Sequence, residues 1–243
     1  MEDRYHALLL ITIIVSSIIF ILYIFHEPFK TNIERTITSI DAIYYINLNK
    51  REDRKTEFLD NFNQVDESKL IRVPAHYYPE NGAIGCLMSH ITALNRAYTD
   101  NRGENLLICE DDLEIKDMAY CNKMLTLFLN SGVPWDVIML GQNTVYSDDT
   151  EIKTEQNEKV IRIRNSQTAS GYMIKRHYIP RLLEIYERDM NKYLKTGDWG
   201  NYYTDQSWKV LQETDRWYSF KPSVAVQRAS YSDIVGGHVN YGV

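Results

Sequence analysis

The chain has 243 residues, a length that admits one generous domain or two small ones and can bury a real core. Its formal net charge of -6 argues against a general nucleic-acid binder, so an anionic ligand would need locally placed Arg, Lys or a metal ion. Three scattered cysteines, Cys86, Cys109 and Cys121, are too few for a disulfide framework or a zinc knuckle.

The first predicted element is a membrane helix. The run from Ala7 to Phe25 carries no charge, and Thr12, Ser16 and Ser17 are its clearly polar side chains. At helical rise it spans roughly 28 Å, about one hydrocarbon core. A cleaved signal is the alternative. Its apolar region would be shorter, and no small-x-small site follows in HEPFK, so residues 7–25 read as a retained single-pass anchor. Arg4 and the terminal amine on one side nearly balance Lys30 and Arg35 on the other, which leaves the orientation open. No Asn-x-Ser/Thr sequon helps to decide it. Residues 26–40 are polar and read as a stem, with one domain over residues 41–243.

From Asp41 onward strands and helices alternate. Ile43 to Leu48 predicts a strand, 53–63 a helix, and Leu70 to Val73 a weaker strand. Leu87, Ile91, Leu94 and Tyr98 recur at helical spacing, which predicts a helix from Ile84 to Tyr98. A strand over Leu106 to Cys109, a helix over 118–129 and a strand from Trp135 to Gly141 follow. The polar stretch Ser147 to Glu158 reads as a flexible loop. KVIRIR and SGYMIK are strands, Arg176 to Asp189 is a helix, and Gln206 to Gln212 is a short one. Such alternation argues for an α/β domain with a mainly parallel sheet flanked by helices.

Glu110, Asp111 and Asp112 directly follow the apolar strand Leu106 to Cys109. Three adjacent carboxylates repel one another and need either full solvation or a counter-charge. Ligands of open α/β sheets bind beyond the carboxyl ends of strands, where this cluster lies. In an extended chain Glu110 and Asp112 would face one ligand and Asp111 would face away. Hard oxygen donors favour Mg²⁺ or Mn²⁺, whereas an exposed acidic turn needs no metal.

INLNKREDR, GAIGCLMSH, LLICEDD, SGYMIKRHYIPRLLE and TDQSW occur here in the order and approximate spacing of glycosyltransferase family 25, which this chain resembles over roughly residues 42 to 230. That family comprises lipooligosaccharide galactosyltransferases and procollagen galactosyltransferase relatives. The resemblance implies a GT-A-like, Rossmann-type fold and a nucleotide-sugar donor, most plainly UDP-galactose. It also implies a saccharide or glycoconjugate acceptor, inversion at the anomeric carbon, and a Mn²⁺ or Mg²⁺ cofactor in glycan or lipopolysaccharide biosynthesis. By this resemblance Asp112 is the direct metal ligand, assisted by Glu110 or Asp111. Arg51, Asp53 and Arg54 follow the first strand on the donor side. Arg51 and Arg54 would offset diphosphate charge and Asp53 would accept from base or ribose, with a solvated turn opening a helix as the alternative for all three.

Other residues can be read singly. Cys86 and His90 lie one helical turn apart, as in a search for a cysteine nucleophile. A catalytic pair usually meets across elements, so Ser89 and His90 are assigned to a donor-side or core-facing wall and Cys86 to packing. Gly171 permits close backbone approach to a ligand, and a bulge is an equal reading. Lys221 to Ile234 resembles the segment that closes the family's site. His238, in GGHVNYG, is a candidate third metal ligand. Asp205 is the candidate general base and Asp198 its understudy. As structure alone, Asp205 would be a good helix N-cap. Trp199, Tyr202, Tyr203 and Trp208 offer faces for an acceptor sugar. The segment between Arg72 and Gly82 is short and atypical of the family, and the second domain of the procollagen enzymes does not follow. A metal-dependent phosphotransferase or nuclease and an inactive glycan-binding relative are the rival readings.

Overall fold

The computed structural model describes residues 15–16, 33–232 and 236–240. The chain divides into two compact units, residues 1–33 and 34–243. Apart from Val15 and Ser16, the expected anchor at 7–25 lies outside the described residues. No helix among the described residues is long and apolar enough to cross a membrane. Part of the expected stem belongs to the second unit. Ile37 and Ile40 are buried in its core, and the Ile37 N–H donates to Asn122 Oδ1 at 2.9 Å, so the folded unit begins before Asp41.

In chain order the early strands are β1 (Ala42–Asn47), β2 (Leu70–Pro74), β3 (Asn105–Glu110), β4 (Leu113–Glu114) and β5 (Val137–Met139). A hairpin of β6 (Asn143–Lys153) and β7 (Lys159–Gln167) follows, then β8 (Gly171–Lys175) and β9 (Trp217–Lys221). The longer helices are α1 (Glu52–Asn61), α2 (Gly82–Asp100), α3 (Met118–Asn130) and α4 (Ile179–Thr196). Eight strands form one sheet in the order β2-β1-β3-β8-β5-β9-β7-β6. Six of these run in one direction, while β8 and β7 run against them. The expected mainly parallel sheet is therefore parallel across β2-β1-β3 and mixed beyond it.

Strand alternation divides the core between the two faces of the sheet. Tyr44, Ile46, Leu106, Ile108, Tyr172 and Ile174 pack on one side with Leu87, Leu94, Leu182 and Tyr186 of α2 and α4. Ile43, Tyr45, Leu107, Cys109 and Met173 pack on the other with Phe58 of α1, Phe62 at its C-cap, and Met124 and Phe128 of α3. Burial on both faces is why these strands read as continuous apolar runs. Asn81 caps α2, its Oδ1 accepting from the Ala83 and Ile84 N–H groups, an arrangement that contributes about 1 kcal/mol.

Two predicted elements come out differently. The loop expected at Ser147 to Glu158 is instead most of β6, the turn and the hairpin ladder with β7. Its polar sequence suits an edge strand held by backbone pairing, with ion pairs from Lys159 to Asp149 and Arg164 to Asp148. The helix expected over Gln206 to Gln212 is two single-turn helices, after a first one that directly follows Asp198: α5 (Trp199–Tyr202), α6 (Thr204–Ser207) and α7 (Lys209–Gln212).

Candidate active-site cleft

A cleft of about 760 Å³ opens beyond the carboxyl ends of β1, β2 and β3. Arg51 and Arg54 reach it from the start of α1, and Glu110, Asp111 and Asp112 from the end of β3. The 75–83 segment and Cys86, Ser89 and His90 of α2 line another side. Thr168 and Ala169, between β7 and β8, and Asp205 complete the lining.

The three carboxylates do not alternate along a strand. β3 stops at Glu110, and Asp111 and Asp112 sit in a turn, so all three line the cleft with different neighbours. The expected pairing of Glu110 with Asp112, with Asp111 facing away, is overturned by that turn. Asp111 and Asp112 are both buried and share Arg54, whose Nη1 stands 3.0 Å from Asp111 Oδ1 and 3.2 Å from Asp112 Oδ2. Asn47 Nδ2 donates to Asp111 Oδ2 at 2.7 Å, and Gln227 Nε2 to Asp112 Oδ2 at 3.2 Å. Asp112 Oδ1 is buried and accepts no hydrogen bond.

Burial, with repulsion from Glu110, pushes the Asp112 carboxyl up to about 7. Burial also raises Asp111, against the opposing pull of Arg54 and Asn47. One guanidinium thus offsets two carboxylates incompletely. The orphaned Asp112 oxygen is of the donor type that a hard divalent cation takes, while both Asp111 oxygens are already engaged by Arg54 and Asn47.

Glu110 turns the other way. Its Oε1 lies 3.2 Å from His90 Nε2 and accepts from the Cys86 thiol at 3.6 Å. Burial opposes its charge, but the His90 contact, Arg54 and Cys86 together hold its pKa below the usual range. His90 Nδ1 lies 3.3 Å from the Tyr172 hydroxyl. Cys86 is therefore a half-buried cleft residue rather than the packing residue expected from sequence, and its thiol is pushed well up by burial. Ser89 Oγ donates to the Gly85 carbonyl and accepts from the His76 N–H, tying the 75–81 segment to α2. A side chain at Gly85 would meet the His76 carbonyl at 2.5 Å, so glycine there permits this approach.

The C-terminal segment forms one wall, as its resemblance implies. β10 (Val226–Gln227) pairs with β4, and the Arg228 N–H donates to the Asp112 carbonyl at 2.8 Å. A hairpin of β11 (Ser230–Ser232) and β12 (Gly237–Val239) follows. Arg54 Nη2 donates to Ser230 Oγ and, at 2.9 Å, to the Tyr231 carbonyl, which also accepts from Arg51 at 3.2 Å. Arg51 grips Asp53 through two nitrogens at 2.8 and 2.9 Å, and this holds the exposed Asp53 carboxyl down at about 2. Asp53 does not line the cleft.

Several sequence candidates lie elsewhere. His238 is exposed opposite Tyr231, while its neighbour Val239 faces the cleft, because successive strand side chains point to opposite sides. The structure does not bring His238 to Asp112. Gly171 is also outside the cleft. A Cβ there would meet the Leu113 side chain at 2.5 Å, so its close approach is to a core leucine and not to a ligand. Trp208 is fully buried, with its indole N–H on the Ser166 carbonyl, and offers no face to a sugar. Tyr203 does line the cleft.

Of the two candidate bases Asp205 lines the cleft and Asp198 does not, and the N-cap geometry expected of Asp205 is not found there. Asp205 lies inside α6, whose N-cap is Tyr203; its Oδ2 accepts from the Thr168 N–H at 3.0 Å and its Oδ1 from Gln206 Nε2 at 2.9 Å. The N-cap geometry belongs to Asp198, whose Oδ1 accepts from the Asn201 N–H at 3.2 Å, outside the cleft. Sequence reading missed Asn47, Gln227 and Ser230. Gln227 and Ser230 stand within the segment recognised as closing the site, whereas nothing local marks Asn47.

A sequence model described as "Glycosyltransferase family 25 (LPS biosynthesis protein)" matches residues 75–194. A "Glycosyltransferase 25 family member" of Aedes aegypti is 24% identical over 215 residues, covering 75% of this chain and 34% of that relative. A protein of the same description from Anopheles gambiae is 24% identical over 198 residues, covering 70% and 33%. The chain thus spans about a third of the length of these relatives. Among solved structures, a glycosyltransferase involved in the glycosylation of the major capsid of PBCV-1 is similar at a TM-score of 0.44 and 10% identity, covering 73% of this chain and 80% of that one.

Proposed function

The chain belongs to glycosyltransferase family 25, and from that premise we propose that it transfers a hexose from a nucleotide-sugar donor to a glycan or glycoconjugate acceptor. The observation that carries this reading is the buried Asp111–Asp112 pair on Arg54, with one Asp112 oxygen unpartnered, inside a cleft roomy enough for a sugar nucleotide. Donor diphosphate lies against Arg51 and Arg54, whose positive charge offsets the charge that grows as the phosphate departs. A divalent cation held at Asp112 would supply further positive charge there.

Asp205 serves as the base. Both its oxygens accept one hydrogen bond, which fixes the carboxylate's orientation and leaves lone pairs for an acceptor proton. As the acceptor oxygen bonds to the anomeric carbon, the bond from that carbon to the donor phosphate breaks and the hydroxyl proton passes to Asp205. This arrangement inverts the anomeric centre. Tyr203 and the exposed Tyr77 and Tyr78 offer apolar faces for sugar rings at the cleft. UDP-galactose is the proposed donor, Mn²⁺ or Mg²⁺ the proposed cation, and residues 7–25 the proposed membrane attachment. A screen of nucleotide sugars for metal-dependent hydrolysis tests the reading: one sugar nucleotide should be consumed, and consumption of none, or of all equally without metal, contradicts it.

A further inference from the structure

The Cys86–His90–Glu110 cluster is not used by the proposed transfer. Its three ligand atoms, a sulfur, an imidazole nitrogen and a carboxylate oxygen, lie within 4.8 Å of one another. Tetrahedral zinc with ordinary bond lengths sets its nitrogen and oxygen ligands about 3.4 Å apart and its sulfur and oxygen ligands about 3.6 Å apart. The corresponding separations here are 3.2 Å and 3.6 Å. The sulfur and the imidazole nitrogen lie within 4.8 Å, against about 3.6 Å around such an ion, so the three atoms are already gathered on one point of the cleft.

We propose that Cys86, His90 and Glu110 form a site for a zinc-class cation, with its fourth position open to the cleft. Three protein ligands with one position free is the pattern of an accessible zinc site, whereas a closed structural site has four. The thiolate makes the set soft, so it selects zinc over Mg²⁺ or Mn²⁺. Tyr172 completes it from behind: with the Nδ1–H directed at the Tyr172 hydroxyl, Nε2 keeps a lone pair for the metal. Spacing contributes as well, since Cys86 and His90 are four residues apart on α2 and present their ligand atoms on one face. On binding, the S–H bond breaks, the sulfur–metal bond forms with the electron pair left on sulfur, and the proton leaves to solvent. This site is separate from the Asp111–Asp112 flank, which offers oxygen donors alone.

The test uses the full chain in detergent, titrated with Zn²⁺, Mg²⁺ and Mn²⁺ by calorimetry, and with Co²⁺ by absorption. One equivalent of Zn²⁺ should bind, and Co²⁺ should give a sulfur-to-cobalt charge-transfer band that Cys86→Ser abolishes and Asp112→Asn retains. Cys86→Ser should weaken Zn²⁺ at least about 100-fold, and Tyr172→Phe roughly tenfold. A readout on the native chain stands beside the variants: Cys86 is half-buried and Cys109 and Cys121 are buried, so Zn²⁺ should slow thiol labelling at Cys86. Zinc affinity that falls with Asp112→Asn and survives Cys86→Ser would overturn the proposal, as would labelling of Cys86 at the same rate with and without Zn²⁺.

Discussion

Glu110 and Asp112 stand two residues apart, line one cleft and have different surroundings. Asp112 shares a guanidinium with Asp111, keeps one buried oxygen without a partner, and has its carboxyl pushed up to about 7 by burial. Glu110 faces an imidazole and a thiol, and its pKa is held low. The divergence begins where β3 ends, because the turn after Glu110 sends the next two side chains toward α1 and β10. A run of like charges thus acquires two different surroundings once the backbone stops alternating.

The largest expected break in this comparison is Arg54→Met. Its partners are only 7% and 6% exposed, so the variant leaves two buried carboxylates without their cation. A loss of about 3–5 kcal/mol in urea-unfolding stability at pH 7 is expected, from the cost of orphaning a buried charge. Glu110→Gln keeps an acceptor toward His90 and should cost about 1 kcal/mol by the same measurement. Equal losses in the two variants would mean that the flanks do not differ as described.

Asp205→Asn should retain the contact to the Thr168 N–H and still lower the transfer rate roughly 100-fold or more, because an amide is no base. Steady-state rates of Asp205→Asn and Asp205→Ser check this, with circular dichroism to verify the fold. Near-native transfer by either variant would leave Asp205 a structural residue.

A structural ion pair sharpens the contrast with Asp112. Asp136 is buried and accepts from the Arg216 backbone N–H at 3.0 Å, from its Nε at 2.9 Å and from its Nη2. Burial alone would raise its pKa, but these bonds and the Arg216 charge outweigh that and lower it. A carboxyl whose folded pKa is depressed contributes stability that is present above its unfolded pKa and lost as pH falls through the folded value. Asp136→Asn should therefore cost about 2 kcal/mol at pH 7 and progressively less below pH about 4, read from urea midpoints across that range. A loss independent of pH would contradict the assignment. Smallest is Asp198→Ala, which removes the cap on α5 and should cost about 1 kcal/mol or less in thermal stability.

The contrast also marks what could be read from sequence. Strands such as Ile43 to Leu48 and Leu106 to Cys109 were legible because burial on both faces demands unbroken apolar runs. The place of the acidic cluster followed from the strand it ends. Its internal division did not, since one residue of turn changes which side chains share a neighbour. The hairpin from Asn143 to Gln167 was hidden in part because backbone pairing stabilises polar edge strands without an apolar signature. Gly171 was recognised as a site of close approach, but its partner, Leu113, is set by the tertiary fold. Cys86 reads as packing from sequence because Glu110 reaches it, and His90, only through the tertiary fold.

The Asp112 flank is proposed to serve a nucleotide-sugar transfer. The most direct test is sugar-nucleotide hydrolysis by the native chain and by Asp112→Asn, each with Mn²⁺ and with excess chelator. Consumption of one sugar nucleotide by the native chain, dependent on the metal and reduced roughly 100-fold or more in the folded variant, is the predicted result. Undiminished hydrolysis in Asp112→Asn, or in the presence of chelator, would contradict it.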